Sequence, residues 1–151
     1  MIIKTEDLRA ITEQGNKNSC SAVYMDCGEQ IVDRDLHKHS FLVKFTKELE
    51  HCFDNPDLKI EMIAKNIAVS ERQIYRIFKE FLNITPATFL RLYRLEKAFW
   101  LIQKGESFGN IAFDVGFSSH SYFSRCFKEK YGETPSAFIL AFAENKTAEY
   151  Y

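Results

Sequence analysis

From Ser40 onward the sequence predicts an all-α fold: two helix-turn-helix subdomains joined by a long linker helix, behind a poorly defined N-terminal arm. Three observations predict it. Apolar residues recur at helical spacing from Phe41 to about Ala143, with no alternating strand pattern among them. The segment 63–89 returns in recognisable form at 111–138. A long stretch of helix-forming sequence, roughly Pro86 to Gln103, separates the two copies.

Residues 1–38 are expected to be an arm or linker, with a short helix in "TEDLRAITEQ" and a hairpin in "SAVYMDCGEQIVDR" turning near Gly28. In "SFLVKFTKELEHCF", Phe41, Phe45, Leu49 and Cys52 or Phe53 share one stripe, and Ser40 is the expected N-cap. "NPD" at 55–57 ends that helix, and "KIEMIAKNIA" forms a short amphipathic one. Ser70 caps "ERQIYRIFKEFL", and Asn83 suits a left-handed C-cap. Thr85-Pro86 reads as an N-cap followed by proline at the first helical position, opening the long helix that Gly105 closes. "SFGNIAFDV" is short and stops at Gly116. Ser119 caps "HSYFSRCFKEKY", which stops at Gly132, and Thr134-Pro135 opens a last helix to about Ala143. The expected organisation is an arm over 1–38, a helical domain over 39–143 and a tail over 144–151.

The repeat is specific. Ile63-Ala64 matches Ile111-Ala112 at an offset of 48, whereas Arg76, Phe78, Lys79 and Glu80 match Arg125, Phe127, Lys128 and Glu129 at 49. Thr85, Pro86 and Phe89 match Thr134, Pro135 and Phe138, again at 49, so one residue is added in the second turn around Phe117-Ser118. Each copy is a short helix, a tight turn and a longer helix. In the longer helix of copy one, Ile74, Ile77, Phe78 and Phe81 form the expected inner stripe, and Arg72, Tyr75, Arg76 and Lys79 the outer one. In copy two the inner stripe is Phe123, Cys126, Phe127 and Lys130 or Tyr131. The outer one is Ser121, Ser124, Arg125 and Lys128.

The outer residues carry nucleic-acid chemistry. Arginine can pair with guanine O6 and N7 through two hydrogen bonds, and serine and histidine make shorter, less selective contacts. Lysines at the far end suit phosphate, as do helix starts with free N–H groups. The residues assigned to phosphate are Ser70, Lys79, Thr85, Ser119, Ser124, Lys128 and Thr134. About 17 residues of linker helix at ~1.5 Å each span roughly 26 Å. With added end pieces that span can hold two helices about one DNA turn, ~34 Å, apart.

Over roughly residues 41–142 the chain resembles the AraC/XylS family of bacterial transcription regulators. "IAFDVGFSSHSYFSRCFKEKYGETPSAF" is similar to the family signature, and "RLYRLEKAFWLI" (91–102) to its linker helix. The resemblance implies seven helices, sequence-specific binding of double-stranded DNA and transcription regulation. It places base contacts on Arg72, Tyr75 and Arg76, and on His120, Ser121 and Arg125, with Tyr122 nearby. Asn83 stands where the family often has glycine, Ile139 where it often has a basic residue, and Glu71 sits beside the proposed face. Residues 1–38 are too few for a ligand-holding barrel. The expectation is therefore a small stand-alone member or the output part of a larger regulator. "LHKHSFLVKFTKELEHCFDNPD" is similar to the helix leading into such a domain in two-component sensors.

Composition fits this reading. The net charge is −1, yet residues 1–56 carry −3 and residues 57–143 carry +3. No apolar run reaches the roughly 18 residues of a membrane span, and no secretory signal is evident. Cys20, Cys27, Cys52 and Cys126 match no zinc spacing and read as free thiols of a cytoplasmic protein. His37 and His39 with Asp33 or Asp35 read as a solvated connector, so no metal or cofactor is expected. Ser118, Ser119, His120 and Ser121 have no triad geometry, and no enzyme is expected. Trp100, with Phe99, Leu101 and Ile102, is expected in the core, while Arg91 and Arg94 suit either phosphate contact or bracing. The rival reading is a helical protein-interaction module that docks on a transcription factor or RNA polymerase, with DNA binding weak or lost.

Overall fold

The computed structural model describes residues 33–104 and 110–148, and the side chains of 38–104 and 110–141. Among the described residues all regular structure is helical. The helices are α1 (Asp33–Cys52), α2 (Ile60–Asn66), α3 (Glu71–Ile77), α4 (Pro86–Lys104), α5 (Ile111–Asp114), α6 (His120–Tyr131) and α7 (Pro135–Ala148). A π-helical turn, Phe78–Leu82, continues α3. The expected helix in 5–14 and most of the expected hairpin in 21–34 lie outside the described residues.

The chain forms two compact units. The first comprises α1, α2, α3 with its π turn, and the connection to Thr88. Its buried side chains include Phe41, Leu42, Phe45 and Leu49 of α1, Ile60 and Ile63 of α2, and Ile74, Ile77 and Phe78 beyond them. The Phe45 and Phe78 rings meet edge-on with centroids 4.8 Å apart. The second unit comprises the segment Phe53–Leu58 and the chain from Phe89 onward. Its core joins Leu95, Ala98 and Ile102 of α4 to Ile111 and Ala112, Val115 and Phe117, and Phe123, Cys126 and Phe127 of α6. Cys126 is a free thiol and is buried, as its place on the inner stripe requires.

Three sequence expectations need correction. Ser40 is not an N-cap, because α1 already starts at Asp33; no glycine or proline interrupts 33–40, so nothing breaks the helix there. The expected boundary between 38 and 39 therefore falls inside α1, and α7 carries helix through 144–148 of the expected tail. Phe81 leaves the inner stripe and is 39% exposed. The π turn at Phe78–Leu82 underwinds the chain, so a side chain seven residues from Ile74 no longer falls beneath it. Trp100 is 44% exposed rather than core. The inward row of α4 runs through Leu95, Ala98 and Ile102, at i, i+3 and i+7, and Trp100 lies off it.

Candidate nucleic-acid interface

The two turns are built by the same hydrogen bonds. In copy one, Ile67 N donates to Ile63 O at 3.0 Å, Ala68 N to Lys65 O at 3.2 Å and Val69 N to Ala64 O at 3.0 Å. In copy two, Val115 N donates to Ile111 O at 3.1 Å, Gly116 N to Phe113 O at 2.9 Å and Phe117 N to Ala112 O at 2.9 Å. The central residue of each turn has positive φ, 56° at Ala68 and 84° at Gly116. Equivalence at an offset of 48 thus extends to Phe117, and the cap residues Ser70 and Ser119 follow at 49. Ser118 is the added residue, and it is exposed.

Beyond each turn a serine starts the next helix. Ser70 Oγ accepts from Gln73 N at 3.3 Å, and Ser119 Oγ from Tyr122 N at 3.3 Å. Thr85 Oγ1 accepts from Thr88 N at 3.1 Å, and Thr134 Oγ1 from Ala137 N at 3.3 Å. All four cap residues are exposed. A hydroxyl that accepts a backbone N–H keeps its own hydrogen to donate outward. Asn83 closes the π turn in the left-handed region at φ 53°, and Gly132 ends α6 at φ 85°.

These caps fix the phase of the outward stripes. In α3 and its π turn, Arg72, Tyr75, Arg76 and Lys79 are exposed while Ile74, Ile77 and Phe78 are buried. Glu71, also exposed, complements the positive end of the α3 dipole. In α6, His120, Ser121, Arg125 and Lys128 are exposed over buried Phe123, Cys126 and Phe127. Ser124 lies at the edge of this stripe and is half-buried.

The surface of α6 has a further feature. Tyr122 is 39% exposed, and the Arg125 guanidinium lies 5.3 Å from its ring centroid. Behind Tyr122, the ring of buried Phe117 packs at 5.8 Å. Tyr122 is the chief cause of a pKa raised above the ordinary arginine value at Arg91 of α4. Arg91 is half-buried and stays charged. Its neighbour Arg94 braces instead: Nε donates to Phe53 O and a terminal nitrogen to Asn55 O, each at 2.7 Å. Spacing marked this pair without distinguishing the two roles.

Two units, each with a capped helix behind a tight turn and a cationic outer stripe, define a bipartite helix-turn-helix protein of the transcription-regulator class. A family model described as a helix-turn-helix domain matches residues 63–140. Histidine kinase P4 of Formosa agariphila is 30% identical over 114 residues, 75% of this chain and 8% of the kinase. The HTH-type transcriptional regulator ArgR of Pseudomonas aeruginosa is 35% identical over 98 residues, 64% of this chain and 30% of ArgR. A transcriptional regulator of Chromobacterium violaceum with an AraC-type DNA-binding domain superposes with TM-score 0.59 at 28% identity, covering 69% of this chain and 96% of that one. The chain belongs to the AraC/XylS family of helix-turn-helix regulators. It spans only a small part of the kinase and under a third of ArgR. No helix among the described residues is long and apolar enough to cross a membrane.

Proposed function

We propose that the chain binds double-stranded DNA sequence-specifically and regulates transcription, inserting α3 and α6 into successive major grooves. The observation that carries this reading is the duplicated capped helix with guanidinium groups on its outer face: Arg72 and Arg76 in one copy, Arg125 in the other. Tyr75, His120 and Ser121 complete the base-reading set, and the exposed caps with Lys79 and Lys128 hold phosphates. Because the two outer stripes differ, one chain reads a non-palindromic site of about two turns.

The same domain serves as the output part of a larger regulator. This is supported by the 114-residue match to the histidine kinase, which is longer than the helix-turn-helix match at 63–140. Its setting is the bacterial cytoplasm. Selection of bound duplexes from a random library tests the function directly. Recovery of one asymmetric consensus about two turns long, with affinity falling steeply with salt, is the expected result. The second reading is a surface for RNA polymerase or another transcription factor, and it draws on exposed Leu140, at 65%, and Trp100. No gel shift on random duplex at low salt, together with polymerase retention in a pull-down, selects that reading.

A further inference from the structure

We propose that Tyr122 is a positioning residue for base selection by Arg125; this rests on the DNA-binding reading above. Arginine reads guanine through a planar fork, and discrimination gains when that plane is held before the base arrives. An exposed arginine on a helix samples many rotamers, and ordering it on binding weakens the contact. Arg125 stands three residues after Tyr122, so the two side chains are neighbours on the surface of α6. The Arg125 guanidinium carbon lies over the Tyr122 ring, 5.3 Å from its centroid. That is within the reach of a cation–π attraction.

The ring is itself held from behind. Phe117, only 3% exposed, packs against Tyr122 with centroids 5.8 Å apart. Phe117 also meets buried Phe123 edge-on at 5.2 Å, which ties it into the core of the second unit. The Tyr122 backbone is fixed as well, because its N–H donates to Ser119 Oγ at 3.3 Å. A chain of contacts thus runs from the core through Phe117 and Tyr122 to the guanidinium. Tyr122 therefore needs no contact with a base to influence which base Arg125 accepts. Copy one is built otherwise. Val69 and Gln73 stand at the positions of Phe117 and Tyr122, so Arg76 has no ring three residues before it.

The test uses the full chain and the duplex consensus obtained by selection. Tyr122→Leu removes the π face and keeps an apolar side chain against Phe117, whereas Tyr122→Phe keeps the ring. Both are expected to retain binding to random duplex with an unchanged salt slope. In Tyr122→Leu, discrimination at the Arg125 base pair is expected to fall about two- to fivefold, the scale of one exposed cation–π contact. Tyr122→Phe should keep most of that discrimination. In an Arg125→Ala background, Tyr122→Leu should have no further effect on selectivity. Nuclear magnetic resonance of the free protein supplies a readout without DNA: the ring-shifted Arg125 Nε–H signal should persist in Tyr122→Phe and move toward its random-coil position in Tyr122→Leu. A loss of discrimination that persists in the Arg125→Ala background makes Tyr122 a base contact in its own right and overturns the proposal. A uniform loss of affinity for all duplexes, shared by Tyr122→Phe, makes the hydroxyl a phosphate contact and does the same, as does unchanged or sharper discrimination in Tyr122→Leu. A wild-type chain that enriches no sequence overturns the DNA-binding reading itself, and this outcome is distinct from a selective wild type with an indifferent Tyr122→Leu.

Discussion

Lys130 Nζ lies 2.7 Å from Glu96 Oε1, with the two side chains only 13% and 10% exposed. The ion pair sits beside the core of the second unit, between α4 and α6. Glu96 Oε2 is buried without a protein partner, so the pair is incompletely satisfied. Removing one charge strands the other. Lys130→Met should cost about 3 kcal/mol in urea unfolding, and the double variant Glu96→Met/Lys130→Met should recover most of it.

The same lysine has a pH signature. Burial lowers its pKa from the ordinary 10.5 and outweighs the hydrogen bond and charge of Glu96. The unfolded chain therefore holds this proton more tightly than the folded one. Stability contributed by this residue rises with pH across the window between the lowered value and 10.5. Unfolding of wild type and Lys130→Met should show the wild type gaining on the variant as pH climbs through that window.

The paired turns predict substitutions of opposite sign. A β-carbon at Gly116 would sit 2.4 Å from Phe53 O and 3.0 Å from Arg94 Cζ, at φ +84°. Gly116→Ala should lower the melting temperature markedly. Ala68 occupies the equivalent position at φ 56° with its methyl group exposed. The left-handed region costs a non-glycine residue roughly 1–2 kcal/mol, and glycine's extra entropy returns about 0.5–1 of it. Ala68→Gly should therefore stabilise the chain by about 0.5–1 kcal/mol.

Arg94 makes two charge-assisted bonds to part-buried carbonyls. Arg94→Met leaves both acceptors without their donor, and each such bond is worth about 1.5–3 kcal/mol. The expected loss is about 3 kcal/mol or more in denaturant unfolding. Arg94→Lys should recover less than half, because an ammonium cannot span two carbonyls as a guanidinium does.

For DNA, Arg125→Ala should cost ~1–3 kcal/mol and relax selectivity at one base position, and Arg72→Ala should do so at another. Lys128→Ala should weaken binding to all sequences alike and reduce the salt slope by about one. Titrations of labelled consensus and scrambled duplexes at several salt concentrations separate the two behaviours. If neither arginine variant changes operator affinity at fixed salt, the assignment of the outward face is wrong.

Local chemistry is legible in the order of the residues. Ser70, Ser119, Thr85 and Thr134 cap where their hydroxyls and the following apolar residues place them, and Asn83 takes the left-handed conformation asked of it. Such features depend on a few neighbours along the chain. Features decided by packing are not legible in that way. Nothing in the residues around Phe81 announces a π turn, and a run of four apolar residues at 99–102 hides which of them the core admits. Arg94 looks like Arg91 in sequence because its partners, the Phe53 and Asn55 carbonyls, are about 40 residues away along the chain.

The second unit borrows Phe53–Leu58 from between the two stretches of chain that make up the first. The halves are thus interleaved along the polypeptide, although the duplication suggests beads on a string. A fragment beginning near Phe89 carries every residue of the second repeat, yet Arg94 loses its two carbonyl acceptors and Gly116 loses Phe53 O from its side. Protease trimming or gene splitting at the obvious midpoint should yield a molten second half. Supplying those six residues, through a fused peptide or a permuted chain order, should bring it back to a defined fold.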